Sequence, residues 1–164
     1  MAVISPMVRS ALMVADLERS THFYREVLGL DETWYAGELS DGNAHQLLGM
    51  PAGSLTRACI LKAPGPAWGM LGLFEISAPR PSTVQLDSQR INLGETCLVF
   101  YHADLDQVQA ALEQQQLPIL CPPLMLVVDG QPRQREMTFR DPDGVLINLI
   151  EWDSNDDGPR PEKK

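Results

Sequence analysis

Cysteines, long apolar runs and basic residues are all scarce in this sequence of 164 residues. The three cysteines, Cys59, Cys97 and Cys121, are odd in number and none is spaced as CxxC, so we expect reduced thiols in a cytoplasmic protein. No apolar run reaches the eighteen or more residues of a membrane span, and residues 1–16 lack the basic leader of a signal peptide. The sequence therefore argues against a disulfide framework and against membrane insertion.

Positive charge is also in deficit, with 13 Lys and Arg against 22 Asp and Glu, and the net charge is -9. A chain of this charge is repelled by nucleic-acid phosphates, so we expect no nucleic acid among its partners. The sequence also lacks a GxGxxG stretch, a P-loop, a nucleophile elbow and a CxxC pair, each of which would indicate another enzyme class. Small molecules and other proteins remain as partners.

Two segments carry helix signals. Asp16 can cap a helix with helically spaced apolar residues, and Gly29 is suited to end it in a left-handed conformation. Asp104 begins a second helix with Gln107 as its capping-box partner, and Pro118 bounds that helix. We predict one helix after each of these aspartates.

The two helices belong to an internal repeat. Each follows a strand-like run, 8–15 or 96–103, and each is followed by three more such runs, while the helix junctions read VADL and HADL. The order strand-helix-strand-strand-strand, twice, predicts an α+β fold of two βαβββ modules. We place the first module at 7–77, a linker at 78–92, the second module at 93–152 and a flexible tail at 153–164.

A four-stranded sheet with one helix leaves one face open to water. Pairing two such modules into an open, barrel-like sheet covers both faces and encloses a cavity, which is the expected ligand site.

Two stretches resemble signatures of a known family. ADLERSTHFYREVLGL, residues 15–30, resembles the first-module signature of the vicinal oxygen chelate superfamily, the glyoxalase, bleomycin-resistance and extradiol-dioxygenase group. MTFRDPDGVLINLIEW, residues 137–152, resembles its closing signature. The resemblance covers roughly residues 7–152 and implies the fold rather than the reaction, because the fold hosts lyases, isomerases, dioxygenases and drug-binding proteins.

The resemblance also implies where a metal would be held, by the first and last strand of each module. The corresponding positions here are Arg9, Glu75, Cys97 and Asn148, and only Glu75 is typical of the metal-using members. Arginine is permanently cationic and has no lone pair to donate, and asparagine is a weak ligand. We therefore expect no metal and no other cofactor.

The same four positions predict how a ligand would be bound. Arg9 can pair with Glu75 in a structural salt bridge, or it can bind an anionic ligand while Glu75 acts as a general base. Asn148 is a neutral hydrogen-bonding group and Cys97 a small wall residue. Met13 and Tyr101 share strand faces with Arg9 and Cys97, and His45 lies in a loop that could border the cavity. The predicted catalytic residues are Glu75 and Arg9, and the predicted ligand-binding residues are Arg9, Met13, His45, Cys97, Tyr101 and Asn148.

Three functions compete. The leading one is metal-independent binding of a small, oxygen-rich, anionic molecule, with isomerase- or lyase-type proton transfer if the protein is an enzyme. The second is a non-catalytic protein that sequesters a drug or metabolite. The third is a metal-dependent lyase or dioxygenase with a rearranged site of His45, Glu75 and Cys97. In each case we expect a homodimer, because the open sheets leave free edge strands.

Overall fold

The computed structural model describes residues 4–152, so the predicted tail at 153–164 lies outside the described residues. The chain forms two compact units whose boundary lies between Thr83 and Val84, inside the segment predicted as a linker. We call them the first and the second module. The elements of the first are β1 Arg9–Val14, α1 Leu17–Glu26, β2 Glu32–Glu38, α2 Ala44–Leu47, β3 Leu55–Lys62 and β4 Met70–Ala78. Those of the second are β5 Cys97–His102, α3 Leu105–Gln114, β6 Ile119–Val128, β7 Gln131–Arg140 and β8 Leu146–Glu151.

Each module has one open four-stranded mixed sheet with the same topology. The strand order is β1-β4-β3-β2 in the first module and β5-β8-β7-β6 in the second. The first and last strands of each module are parallel, and the other pairs are antiparallel. The predicted α+β class and the two βαβββ modules are confirmed; the sequence missed only the short helix α2.

The caps act as the sequence indicates. The side chain of Asp16 accepts a hydrogen bond from the Arg19 backbone N–H at 2.9 Å, and Asp104 accepts one from Gln107 at 2.9 Å. After α1 the chain turns at Gly29 with φ of +72°, a conformation that costs a residue with a side chain. In each module the helix therefore begins directly after the first strand, at the capping aspartate.

One face of each sheet is buried under its helix. In the first module α1 packs on β3 and β4, and Leu61, Leu71 and Leu73 are fully buried with Phe23 and Tyr24 of the helix. Burial of each such side chain stabilises the fold by about 1.5–3 kcal/mol. Because side chains alternate along a strand, this packing also fixes which residues point to the opposite, open face.

No helix within residues 4–152 is long and apolar enough to cross a bilayer.

Candidate functional site

Glu75 lies on the helix-facing side of the first sheet, not on the open face. Its Oε2 atom accepts hydrogen bonds from Arg57 Nη2 and from the Leu17 backbone N–H, both at 2.8 Å. Arg9 is paired in register with Met70, five residues before Glu75 on β4. The predicted pairing of Arg9 with Glu75 is therefore wrong, because the two side chains leave the sheet on opposite faces.

Glu75 belongs to a charged cluster at the start of α1. Arg57 also donates to both carboxylate oxygens of Glu18, at 2.7 and 3.1 Å, and these hydrogen bonds hold the pKa of Glu18 below its usual range. The three residues join the helix N-terminus to β3 and β4. This cluster stabilises the helix position and pairs the Glu75 carboxylate with a guanidinium, on the sheet face opposite to that of Arg9.

The second module repeats the cluster. Arg135 donates to Glu151 at 2.9 Å and to Asp106 at 2.7 Å, and its hydrogen bonds lower the pKa of Asp106. Asp106 and Glu151 occupy the same positions on α3 and β8 as the two glutamates of the first cluster on α1 and β4. The repetition indicates a structural role for Glu75, since a role in one active site would not be duplicated with its partners.

Strand register corrects the position that corresponds to Asn148. In the second module Asn148 lies two residues after Leu146, the register partner of Cys97. In the first module the residue two after Met70, the register partner of Arg9, is Gly72. The last-strand position of the first module is therefore a glycine and offers no side-chain ligand.

Arg9 and Met13 lie on the open face of the first sheet, as the strand pattern predicts. A Cβ atom added to Gly72 would come within 3.6 Å of Arg9 Cδ and 2.8 Å of the Phe74 ring, so the absence of a side chain there makes room for both. Arg9 is exposed and has no hydrogen bond or ion pair within residues 4–152. Met13 is 45% exposed. Arg9 is thus a cation available to a ligand on this face.

His45 is in α2, where its Nδ1 atom lies 3.1 Å from the Gly42 carbonyl oxygen. This local bond fixes the ring within its own loop. The structure gives His45 no contact with the other predicted residues of the first module.

The open face of the second sheet carries a polar network around Asn148. Its Nδ2 atom donates to Glu136 Oε2 and to Thr138 Oγ1, both at 3.2 Å. Gln134 Nε2 donates to the other oxygen of Glu136 at 2.8 Å. Both N–H groups of the Asn148 amide are used, so the carbonyl oxygen Oδ1 remains as an acceptor. The network therefore presents oxygen acceptors rather than a cluster of donors.

Cys97 and Tyr101 share this face with Asn148. Burial raises the pKa of the Cys97 thiol, although the backbone N–H of Asn148 acts in the opposite direction. A protonated thiol is a poor nucleophile and a poor metal ligand. The Tyr101 ring stacks on Trp152 with centroids 5.7 Å apart, which holds the ring at the end of the strand.

The residues at the four metal-holding positions do not fit a divalent cation. With the register correction they are a guanidinium, a glycine, a thiol and an amide, at Arg9, Gly72, Cys97 and Asn148. Such a set supplies no carboxylate and no imidazole, which are the usual ligands.

A second set of possible metal ligands is also unsuited. Asp16, Glu18 and Glu75 are the only three acidic, cysteine or histidine side chains within residues 4–152 whose ligand atoms lie within 4.8 Å of one another. The Arg57 guanidinium binds two of the three carboxylates and supplies the positive charge there. The rearranged site of His45, Glu75 and Cys97 loses Glu75 for the same reason.

A groove of about 480 Å³ lies on the helix-facing side of the first module, between α1 and β2. Small residues, Ala36 and Cys59 among them, form part of its lining, while Glu18, His22 and Arg57 line it with charged and polar groups. The groove lies beside the contact of α1 with β3 and β4, and the Arg25 guanidinium of α1 reaches across to hydrogen-bond to Thr33 of β2. No sequence signal predicted it.

Sequence reasoning also missed Glu136 and Thr138. Both lie on β7 and alternate with the buried Met137 and Phe139, so their strand parity is visible in the stretch EMTF. The signal that could have found them is this alternation combined with the antiparallel pairing of β7 with the strand that carries Asn148. The pairing of Thr138 with Asn148 places all three side chains on one face.

Comparison with known families gives one clear match. Residues 7–149 match the sequence profile of the Glyoxalase/Bleomycin resistance protein/Dioxygenase superfamily. No curated protein matches the chain in sequence.

Solved structures share the fold at low sequence identity. A glyoxylase/bleomycin resistance protein/dioxygenase domain from Frankia sp. EAN1pec is 21% identical, with a TM-score of 0.56 over 90% of this chain and 98% of that one. A glyoxalase family protein from Bacillus cereus is 15% identical, with a TM-score of 0.61 over 92% and 95%. The trypanothione-dependent glyoxalase I of Leishmania major is 20% identical, with a TM-score of 0.55 over 90% and 87%. At these identities the likeness concerns the fold alone.

Proposed function

The chain belongs to the glyoxalase/bleomycin resistance/dioxygenase superfamily, and from this premise we propose that it binds a small, oxygen-rich organic molecule without the divalent metal of the metal-using members. The observation that carries the proposal is the network of Asn148, Glu136 and Thr138 on the open face of the second sheet. Asn148 stands at one of the four positions that hold the metal in the metal-using members, and its amide donates hydrogen bonds to Glu136 and Thr138.

The network favours a ligand that donates hydrogen bonds. Glu136 and the Asn148 Oδ1 atom accept, and the Thr138 hydroxyl, which accepts from Asn148, has its own proton left to donate. A hydroxyl group on the ligand matches this arrangement better than a carboxylate, which Glu136 would repel. We therefore expect the ligand to present hydroxyl groups to this face of the second sheet.

Arg9 remains the predicted binder of an anionic group, on the open face of the first sheet. Its guanidinium is exposed and has no ion-pair partner within residues 4–152. A guanidinium binds a carboxylate through two parallel hydrogen bonds, which lysine cannot do. Arg9 therefore favours a small molecule with an acidic group, and the acceptor network favours one with hydroxyl groups; small hydroxylated acids such as malate and tartrate have both.

Matched probes test this class. We expect malate and tartrate to bind more tightly than succinate, which lacks the hydroxyl group, in isothermal titration calorimetry. Glu136→Gln should weaken the binding of malate about tenfold and leave the binding of succinate nearly unchanged. The reason is that a hydrogen bond to a charged acceptor contributes about 1.5 kcal/mol or more. The matched control is Glu113→Gln, at an exposed glutamate of α3.

Arg9→Ala tests the anionic group in the same titrations. It should weaken malate and succinate alike, whereas Arg133→Ala, at an exposed arginine of β7, should weaken neither. If none of the three acids binds at millimolar concentration, the hydroxylated-acid proposal is wrong.

Absence of a required metal is a separate expected result. We expect elemental analysis of the purified protein to find less than about 0.1 zinc, nickel, manganese or iron per chain, and EDTA to leave the melting temperature unchanged. A metal bound to the folded state alone would stabilise it by mass action, so its removal would lower the melting temperature. A stoichiometric metal or a loss of several degrees would refute the metal-independent proposal.

Proton transfer is the second candidate function, with Glu136 as the general base instead of Glu75. The observation that favours it is the orientation of the Glu136 carboxylate by two amide donors, Gln134 and Asn148, on an open face. A general base needs such a fixed carboxylate within reach of the substrate. Exchange of the malate C3 hydrogens with deuterium, followed by NMR, would support catalysis. Malate recovered without exchange would support sequestration.

A further inference from the structure

The groove between α1 and β2 is not part of the open sheet faces that carry the proposed ligand-binding residues. It lies on the helix-facing side of the first sheet, and its volume of about 480 Å³ is within the range of small-molecule sites. In the second module α3 packs on the outer strand β6, whereas in the first module α1 packs on β3 and β4. The repeated fold therefore does not require a groove at this place.

Arg25, in the last turn of α1, lies at one end of the groove and has unused hydrogen-bonding capacity. Its Nη2 atom donates to the Thr33 hydroxyl of β2, its Nε atom is buried without an acceptor, and the guanidinium has no ion-pair partner within residues 4–152. The exposed His22 lies one turn earlier on the same side of the helix and also lines the groove. Glu26 lines it as well, but it directly follows Arg25 and so projects about 100° away around the helix. This end therefore offers a guanidinium to an anionic group.

Glu38, the last residue of β2, lies at the opposite end of the groove. It is the register partner of Arg57 on β3, but the Arg57 guanidinium donates to Glu18 and Glu75 instead. The Glu38 carboxylate is exposed and accepts no hydrogen bond from any residue between 4 and 152. A carboxylate without a cationic partner can form a charge-assisted hydrogen bond to an ammonium group of a ligand.

Small side chains separate the two charged ends. Ala36 and Cys59 are register partners that lie between the Thr33 and Glu38 positions, and both line the groove. The residues of β3 that pair with Thr33 and Glu38 are four positions apart, so the two ends are separated by about 14 Å along the sheet, at about 3.4 Å per residue. Two adjacent charges on a ligand would not reach both ends, whereas charges at the two ends of an aliphatic chain would.

We propose that this groove is a second ligand site, for a linear ω-amino acid whose carboxylate binds Arg25 and whose ammonium group binds Glu38. The aliphatic chain of the ligand lies over Ala36 and Cys59. A purely anionic ligand would leave Glu38 unpaired, and a purely cationic one would leave Arg25 unpaired. The site is independent of the ligand proposed for the open faces.

Titration calorimetry of the full chain with 8-aminooctanoate tests the site. We expect this probe to bind at least about tenfold more tightly than octanoate or octylamine, because each of these makes only one of the two charge-assisted contacts. Glycine, whose charged groups are adjacent, should bind far more weakly. The proposal is wrong if 8-aminooctanoate does not bind at millimolar concentration, or if octanoate, octylamine or glycine binds as tightly.

Two variants assign the ends of the ligand. Glu38→Gln should weaken 8-aminooctanoate and octylamine about tenfold and leave octanoate unchanged, because only the contact with the ammonium group loses its charge. Arg25→Gln should weaken 8-aminooctanoate and octanoate and leave octylamine unchanged. An unchanged affinity for 8-aminooctanoate in either folded variant would overturn the proposal. Since Glu38 is exposed and its carboxylate has no partner among residues 4–152, Glu38→Gln keeps the test decisive even where Arg25→Gln unfolds.

Matched controls locate the probe in the groove. Glu113→Gln, at an exposed glutamate of α3, is the control for Glu38→Gln, and Arg9→Ala, at the exposed arginine of the opposite sheet face, is the control for Arg25→Gln. Both should leave the affinity for 8-aminooctanoate unchanged. A loss of affinity with Arg9→Ala equal to that with Arg25→Gln would place the carboxylate on the open face and refute the groove as its site.

Discussion

Arg140→Ala is expected to lower the free energy of unfolding by about 3–5 kcal/mol, the cost of breaking a buried ion pair from one side. The Arg140 side chain is 2% exposed and that of its partner Glu95 is 5% exposed. The guanidinium also donates to four backbone carbonyls, of Asp87, Ser88, Arg90 and Gly144, at 2.7 to 3.1 Å. The substitution leaves a buried carboxylate and four carbonyl oxygens without their donor.

Urea unfolding followed by circular dichroism measures this loss. Arg140→Lys should restore little of the stability, because an ammonium group has three N–H donors and the six oxygens that Arg140 binds would not all find a partner. Arg133→Ala is the matched control, since this arginine lies on the same strand and is exposed. A loss below about 1 kcal/mol for Arg140→Ala would mean that the segment 87–95 does not depend on this side chain.

The same ion pair makes the stability depend on pH. The hydrogen bonds from Arg140 hold the pKa of Glu95 at about 2, below the ordinary value of 4.5. Because the pKa is lower in the folded state, the pair contributes fully above about pH 4.5 and its contribution is lost as the pH falls towards 2. Between pH 5 and pH 2 the free energy of unfolding should therefore fall less for Glu95→Gln than for the unaltered chain.

Glu75→Ala is expected to lower the free energy of unfolding by about 2 kcal/mol without affecting the binding of malate. The substitution removes the acceptor of the Leu17 backbone N–H at 2.8 Å and one of the two carboxylates that bind Arg57. A hydrogen bond to a charged group contributes about 1.5–3 kcal/mol. The effect should therefore appear in thermal or urea unfolding rather than in calorimetric titration.

Two variants separate this result from a catalytic role. Glu151→Ala, in the equivalent cluster of the second module, should lower the stability in the same way. Glu26→Ala, at an exposed glutamate of α1, should change neither stability nor binding. If Glu75→Gln abolished malate binding or hydrogen exchange while stability stayed constant, Glu75 would be the functional carboxylate after all.

The error over Glu75 shows where sequence reasoning fails for a strand. Glu75 was selected because it lies near the end of its strand, but the face of a side chain depends on strand register, which a shift of one residue reverses. The packing of Leu71 and Leu73 under α1 sets that register in β4. The turn DPDG fixes the start of the strand that carries Asn148, whereas Glu75 has no such marker nearby.

Contacts between segments far apart in the chain could not be predicted from the sequence either. Arg140 binds Glu95 and the carbonyls of residues 87–90, about fifty positions earlier, and nothing in the linker pattern indicates this. The network of Glu136 and Asn148 depends on the pairing of β7 with β8. These contacts require knowledge of which strand edges meet.

The sequence alone determined the element order, the two capped helices, the duplicated βαβββ arrangement and the family resemblance, because aspartate caps, glycine turns and apolar spacing act within a few residues. Only the tertiary structure decided that Glu75 is bound to Arg57, that Gly72 lies beside the Arg9 side chain in the first module, and that Glu136 accepts a hydrogen bond from Asn148 in the second. The physical reason is that local signals select secondary structure, whereas the packing of helix on sheet selects the register and therefore the face on which each side chain lies.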